Sequence, residues 1–374
     1  MAVSRTNPQY AQIYEALKNK ILSGGYEQGA MLPFERELCE EYFAQRITVR
    51  HALDMLAKDG LIKKRAGVGS FVADTSQKED GAEQATHPAQ SEGRKTVLFI
   101  MTRNLNDVRN NSNAYNSQLF FTMERECRAH GLSLFFLPVL SMDELRQHMQ
   151  DDPPACALLV SHTMPEISSY LKAASVPVIA INSIDENVVS IMPDNFNGIS
   201  LAMEELFSLG HTKIGYIGGI EHYVNAKERY LAYRVAYWQK NLPMNEKWVK
   251  NSDWTVQGGK TAMQELLALP ESIRPTAVLC ASDMMGFGTY EAIQSAGLTI
   301  GKDISVMGFD NVPMSDYVLP HLSTVDVSLD HTTHVAMEHL LAATSGKISE
   351  CVPYVVRMPV KVIRRSSCGP KLSL

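Results

Sequence analysis

Arg46 and Arg50 lie one turn apart near the start of a segment in which Val49, Leu53 and Leu56 recur at helical spacing. Burying those three apolar positions leaves the arginines on the open face, with Thr48 and His51 nearby. Guanidinium groups near the start of an exposed helix are placed to reach base edges and phosphates in a DNA major groove. Just beyond, Leu61-Ile62-Lys63-Lys64-Arg65 and Ser70-Phe71-Val72 flank Ala66-Gly67-Val68-Gly69, the pattern of a short hairpin with a basic first arm. Gly67 and Gly69 let its backbone approach another surface closely. The same residues also fit a protein-interaction module with a solvated charged face.

Signals for catalysis are weak. Ile214-Gly215-Tyr216-Ile217-Gly218-Gly219 is glycine-rich without being G-x-G-x-x-G, and neither a phosphate-binding G-x-x-x-x-G-K-[ST] nor a G-x-S-x-G elbow occurs. His331 and His334 lack the H-E-x-x-H frame of a zinc site. Cys39, Cys127, Cys156, Cys280, Cys351 and Cys368 are scattered with no C-x-x-C pair, which reads as reduced thiols. No catalytic residue, cofactor or metal is expected.

These residues must be held by elements that the apolar pattern outlines. Before the hairpin, Ile13, Leu17 and Ile21 predict one helix stopping at Gly24-Gly25, and Leu38 and Tyr42 a second after Pro33. Residues 1–72 carry ten basic and eight acidic residues, a net of +2, which leaves −8 for the rest of a chain of net −6. A basic head on an acidic body suits a first domain that meets phosphate. Residues 74–93 contain no large apolar residue and read as part of a flexible linker, spanning on the order of 25 Å. No run approaches the ~18 apolar residues of a membrane helix, and Arg5 is followed by no apolar signal core, so a soluble, cytoplasmic protein is expected.

The body alternates helical segments with apolar runs at 96–101, 134–137, 157–160, 176–181, 214–217, 277–280 and 304–309. Unbroken Val/Ile/Leu runs predict parallel strands covered on both faces, hence an α/β doubly wound pattern long enough for two lobes.

Leu32-Pro33-x-Glu35-Arg36-x-Leu38, Arg46-x-Thr48-Val49-Arg50-x-Ala52-Leu53, Leu56-x-x-x-Gly60-Leu61-Ile62 and Gly67-x-Gly69-x-Phe71-Val72 together resemble the GntR family of bacterial regulators over residues 9–73. The resemblance implies a winged helix-turn-helix in which Arg36, Arg46 and Arg50 contact operator DNA and the wing tip enters the minor groove. Thr48, His51, Arg65, Gly67 and Gly69 complete the expected DNA-binding set.

Asp194-Asn195-Phe196-Asn197-Gly198, Leu209-Gly210-His211-x-Lys213-Ile214-Gly215-Tyr216-Ile217-Gly218-Gly219, Arg229-Tyr230-Leu231-Ala232-Tyr233, Ser282-Asp283 and Asp303-Ile304-Ser305-Val306-Met307-Gly308-Phe309-Asp310 resemble the LacI/GalR family and its periplasmic sugar-binding relatives over about 95–366. That likeness implies two α/β lobes closing on a ligand. The candidate effector residues are Arg229, Asp310, Asp283, Trp254, Asn182 and His162, with Tyr115 and Ser117 in the loop after the first body strand. Arg229 and Asp310 supply the donors and acceptors that sugar hydroxyls need, and Trp254 a stacking face. Blander roles stay open: Asp310 and Asp283 as loop caps, Arg229 as a lobe-spanning ion pair, Trp254 as core and His162 as a satisfied polar group.

The expected organisation is a DNA-binding domain at 1–73, a linker at 74–94 and an effector-binding and dimerisation region at 95–374. Its first lobe is expected at about 95–193 and 327–353, its second at about 194–326 and 354–366. The expected function is that of a homodimeric repressor of carbohydrate-use genes, binding double-stranded operator DNA and a small effector, with a sugar first in line. A sugar-binding module for transport or chemotaxis is the alternative.

Overall fold

In the computed structural model the chain divides into two units, Met1–Gln90 and Ser91–Leu374. The residues described are 9–23, 25–26, 29–33, 35–42, 44, 46–58, 61–65, 69–72, 95–102, 114–151, 153–161, 163–345 and 352–371. The expected linker at 74–94, Gly67 and His162 lie outside them.

In the first unit the apolar spacing becomes three helices, α1 (Gln9–Leu22), α2 (Glu35–Glu41) and α3 (Arg46–Lys58), followed by strands β1 (Ile62–Arg65) and β2 (Gly69–Val72). Ile13 and Leu17, Leu38, then Val49, Leu53 and Leu56 bury one stripe from each helix against Ile62 and Val72. The hairpin is antiparallel, with Ile62 opposite Val72 and Arg65 opposite Gly69. Residues 29–32 lie along its free edge. Leu32 N–H donates to Ser70 O, and Val72 N–H to Ala30 O, so β2 is paired on both sides.

The second unit opens with β3 (Thr96–Thr102), α4 (Ala114–Ala129), β4 (Ser133–Val139), α5 (Met142–Asp151), β5 (Cys156–Val160), α6 (Pro165–Ala173), β6 (Val178–Ile181) and β7 (Val189–Pro193). After a crossing come α7 (Asn195–Ser208), β8 (Ile214–Gly218), α8 (Val224–Gln239), β9 (Val249–Asn251), α9 (Val256–Leu267), β10 (Ala277–Cys280), α10 (Asp283–Ser295) and β11 (Ser305–Met307). β12 (Thr324–Asp326) leads back to α11 (Leu329–Thr344) and β13 (Val355–Met358), and β14 (Lys361–Ile363) crosses once more.

Two parallel sheets result, in the orders β13-β7-β6-β5-β3-β4 and β11-β10-β8-β9. β12 and β14 pair antiparallel between them. Every residue of β5, β7, β8 and β10 is buried, as sheets with helices on both faces require.

Three expectations are corrected. The run at 134–137 does not have both faces covered: β4 is the outer strand of its sheet, and Phe135 and Phe136 are exposed. Residues 354–358 do not belong with the second lobe, because β13 pairs with β7 and the chain crosses only after Met358. Tyr115 and Ser117 are not in a loop but in the first turn of α4, whose buried stripe Tyr115, Leu119, Met123 and Cys127 has four-residue spacing.

α9 and α10 meet backbone to backbone through reciprocal glycines. A Cβ on Gly259 would collide with the backbone of Met285, and one on Gly288 with the backbone of Val256. Backbone atoms cannot swing aside as a flexible side chain would. Gly288→Ala should therefore lower the stability of the second unit by about 3 kcal/mol, toward the upper end for overpacked cores. Urea unfolding followed by circular dichroism checks this, and an unchanged midpoint would contradict the interlock.

Candidate functional site

The ends of the two sheets face a cavity of about 330 Å³. Its wall takes Thr102 from the end of β3, Ser161 after β5 and Asn182 after β6. From the other lobe come Trp254 after β9, Ser282 after β10 and Asp310 after β11. Carboxyl ends of parallel strands are where open α/β sheets leave a crevice, because the connections there diverge to opposite faces.

Arg229, on α8, is the buried cation of this wall. Its Nε donates to Asn195 Oδ1 at 2.8 Å, its Nη1 donates to Ala281 O, and Nη1 stands 3.5 Å from Asp310 Oδ1. The guanidinium lies 3.7 Å from the Phe309 ring centroid and 5.8 Å from that of Trp254. Both rings offer a π face to a cation that has lost its water. Trp254 can lie here because position 219 is glycine, where any Cβ would collide with the indole. Burial raises the Asp310 carboxyl well above the ordinary carboxylate range; Arg229 pulls it back and nearby Asp283 pushes it up further.

Backbone strain gathers at the same place. Four of the eight described non-glycine residues with positive φ, Ser161 (59°), Asn182 (59°), Trp254 (67°) and Asp310 (111°), line the cavity. Such conformations cost of order 1–3 kcal/mol each and survive where the surroundings impose them, typically at ligand sites. Asn116 Oδ1 and Asn182 Oδ1, also on the wall, are buried acceptors without a hydrogen-bond partner. Both are ready for a ligand hydroxyl.

The structure thus brings Arg229, Asp310, Trp254, Asn182 and Tyr115 to one cavity. It does not bring Asp283 or Ser117 there. The Asp283 carboxylate faces away and accepts from Val312 N–H (2.9 Å), Ser315 Oγ (2.8 Å) and Thr324 Oγ1 (2.5 Å). It ties the loop after β11 and the crossing strand β12 to α10, and burial raises its carboxyl to about 6. The cavity contact belongs to its neighbour Ser282, whose hydroxyl caps α10. Ser117 is exposed, and Asn116 takes the wall position one residue earlier. Asn116, Ser161, Ser282, His222 and Tyr223 line the wall without having been among the candidate effector residues. Ser161 and Ser282 follow strand ends, a rule that could have found them; Asn116 stands between Tyr115 and Ser117 at the end of an Asn-rich run, a signal that pointed to this stretch without singling it out.

In the first unit, Arg46, Thr48, Arg50 and His51 occupy the first two turns of α3, and Arg36 the first turn of α2. Arg65 ends β1 and Gly69 begins β2, opposite each other across the hairpin. Among the described residues no cluster of three or more His, Cys, Asp or Glu could hold a metal ion. No described helix is long and apolar enough to cross a membrane.

A helical unit with a basic hairpin arm, and a two-sheet unit with a polar cavity at its strand ends, define a DNA-binding regulator with an effector region. Residues 9–72 match the model of bacterial regulatory proteins of the gntR family, and residues 203–368 that of periplasmic binding protein-like domains. The chain is a transcription regulator that joins a gntR-type head to a periplasmic binding protein-like effector region.

It is 26% identical to the HTH-type transcriptional repressor PurR of Actinobacillus pleuropneumoniae over 79% of this chain and 90% of that one. It is 33% identical to the ribose operon repressor of Haemophilus influenzae over 52% and 58%. A LacI-family regulator from Enterococcus faecium with bound ribose shares the fold at a TM-score of 0.63 and 22% identity, covering 74% of this chain and all of that one. The CelR–cellobiose complex shares it at 0.65 and 18% identity, over 97% of this chain and all of that one.

Because Asp283 satisfies three buried donors, Asp283→Ala should destabilise the second unit by about 3 kcal/mol, an unmade buried hydrogen bond costing ~1–3 kcal/mol. Its raised pKa also has a signed consequence. Between about pH 4 and 6 the folded chain holds a proton that the unfolded chain releases, so this group's contribution to stability is present below pH 4 and lost as pH rises through 6. Denaturant unfolding across that range should show the decline in wild type relative to Asp283→Asn. Parallel curves would contradict it.

Proposed function

We propose that the cavity binds a sugar, and that its occupancy alters the affinity of the head for operator DNA. The chain acts in this reading as a cytoplasmic homodimeric repressor of carbohydrate-use genes. The observation that carries the ligand class is the wall itself: a held guanidinium, the Asp310 carboxyl, two unpartnered amide oxygens and an indole face. Sugar hydroxyls donate and accept at once, and the apolar face of a pyranose stacks on an aromatic ring. A volume of about 330 Å³ is at the small end of ligand pockets and suits a monosaccharide. The bound ribose of the Enterococcus faecium structure and the ribose operon repressor of Haemophilus influenzae support the same class. A transport or chemotaxis module would have no use for the gntR-type head.

In the head, Arg36, Arg46, Thr48, Arg50, His51, Arg65, Gly67 and Gly69 are the proposed DNA contacts. α3 enters the major groove and the hairpin approaches the minor groove. Two heads on one dimer would read half-sites one or more turns apart.

Two expected outcomes follow. Operator affinity should fall steeply between low and moderate salt, as neutralised phosphates release counterions. Arg46→Ala and Arg50→Ala should each lose ~1–3 kcal/mol of specific binding without changing ligand affinity. Gel shifts on the promoter beside the gene measure both, and wild-type affinity in the double variant would remove the α3 assignment.

Arg229→Ala or Asp310→Ala should weaken ligand binding by ten- to a hundredfold or more, because each charge-assisted hydrogen bond is worth roughly 1.5–3 kcal/mol. Calorimetry with pentoses, hexoses, their phosphates and purine bases tests this. If a purine bound and no sugar did, the sugar class would fall and the cavity would stand.

A further inference from the structure

The hydrogen bonds that hold Arg229 do not end at the cavity. Asn195 accepts from Arg229 Nε through its Oδ1 and donates through its Nδ2 to Glu228 Oε2, both at 2.8 Å. With a cation on one side and a carboxylate on the other, the amide has a single orientation that satisfies both. Glu228 in turn is gripped by Arg357, whose Nη1 reaches Oε2 at 2.8 Å and Nη2 reaches Oε1 at 2.5 Å. This is the two-pronged geometry in which a guanidinium fixes the plane of a carboxylate.

The four residues come from three places. Arg229 and Glu228 are neighbours on α8 of the second lobe, and Asn195 is the fully buried first residue of α7, just past the crossing from β7. Arg357 is on β13, the outer strand of the first lobe's sheet, opposite Met192 of β7. The Arg357–Glu228 fork therefore runs from one lobe to the other. A single amide separates it from the cation in the cavity.

We propose that Arg357 and Glu228 are positioning residues for effector binding: a latch across the lobes that orients Arg229 through Asn195 and so ties the cavity to the lobe angle. Neither lines the cavity. The latch rests on the proposed ligand role of Arg229, but its geometric half can be read without a ligand. Trp254 supplies that signal, because its indole faces the Arg229 guanidinium at 5.8 Å. An arginine released from its hold changes the field on that ring.

The experiment uses the full-length protein as wild type, Arg357→Ala, Glu228→Gln and the double variant. Each is paired with a Trp254→Phe version, so that the emission of Trp254 is obtained by difference. All three variants should shift that emission alike. Midpoints of thermal unfolding should move little, since a partly exposed ion pair contributes little to stability.

In parallel, D-ribose, D-glucose and D-galactose are titrated by calorimetry. For a sugar that binds wild type, each single variant should lose about tenfold in affinity and the double variant no more than either, as members of one unit do. Wild-type affinity for the neutral sugar should also fall a few-fold in 1 M salt, which screens the fork, and this sensitivity should vanish in Arg357→Ala. An unchanged Trp254 emission in the variants overturns the latch, as does undiminished sugar affinity. A shifted emission with no sugar bound by wild type leaves the latch in place and removes the sugar reading.

Discussion

A guanidinium taken out of water must have its donors met by the protein, and Arg229 organises the second unit around that demand. A buried cation left unpaired would cost several kcal/mol. Its partners are Asn195 at the start of α7, the carbonyl of Ala281 after β10, and Asp310 after β11, with Phe309 beneath its plane. These positions are scattered over more than a hundred residues of chain. Their convergence fixes where α8 lies against the strand ends, and so where the cavity can be.

Two buried aspartates show how position divides the same chemistry. Asp283 spends its acceptors on the protein, joining β12 and the loop after β11 to the start of α10. Asp310 keeps part of its hydrogen-bonding capacity toward the cavity, with Arg229 as its charge partner. Burial raises both carboxyls, since desolvation penalises the charged form wherever it occurs. The difference lies in what surrounds them. Gly308 leaves room for the Asp283 carboxylate, which a Cβ at that position would displace.

Much of this was legible in the residues, because local periodicity and long-range packing agree in most elements. Val49, Leu53 and Leu56 announce the inward stripe of α3, and the apolar runs of β5, β8 and β10 announce covered strands. Periodicity says nothing of order within a sheet, so the outer position of β4 and its exposed Phe135 and Phe136 could not be read from an apolar run. β12, β13 and β14 are three or four residues long and owe their form to partners distant in sequence. For the site, a strand-end rule found Arg229's partner Asp310 but could not say which way Asp283 turns. That direction depends on Ser315 and Thr324, contacts no local pattern encodes.

The chain passes between the two lobes three times: from β7 to α7, from β12 to α11, and from β13 to β14. β12 and β14 are bound to one another as a ladder at this point, with Asp326 opposite Lys361. A joint of one strand would allow bending, twisting and swivelling alike. Three passages, two of them laced together, resist shear and twist, because either motion must stretch one chain against another. What remains soft is rotation about the line through the passages. The body is thereby reduced to something close to a single mechanical coordinate, the angle of a book at its spine, and a small molecule that changes that angle has changed nearly everything the body is free to vary.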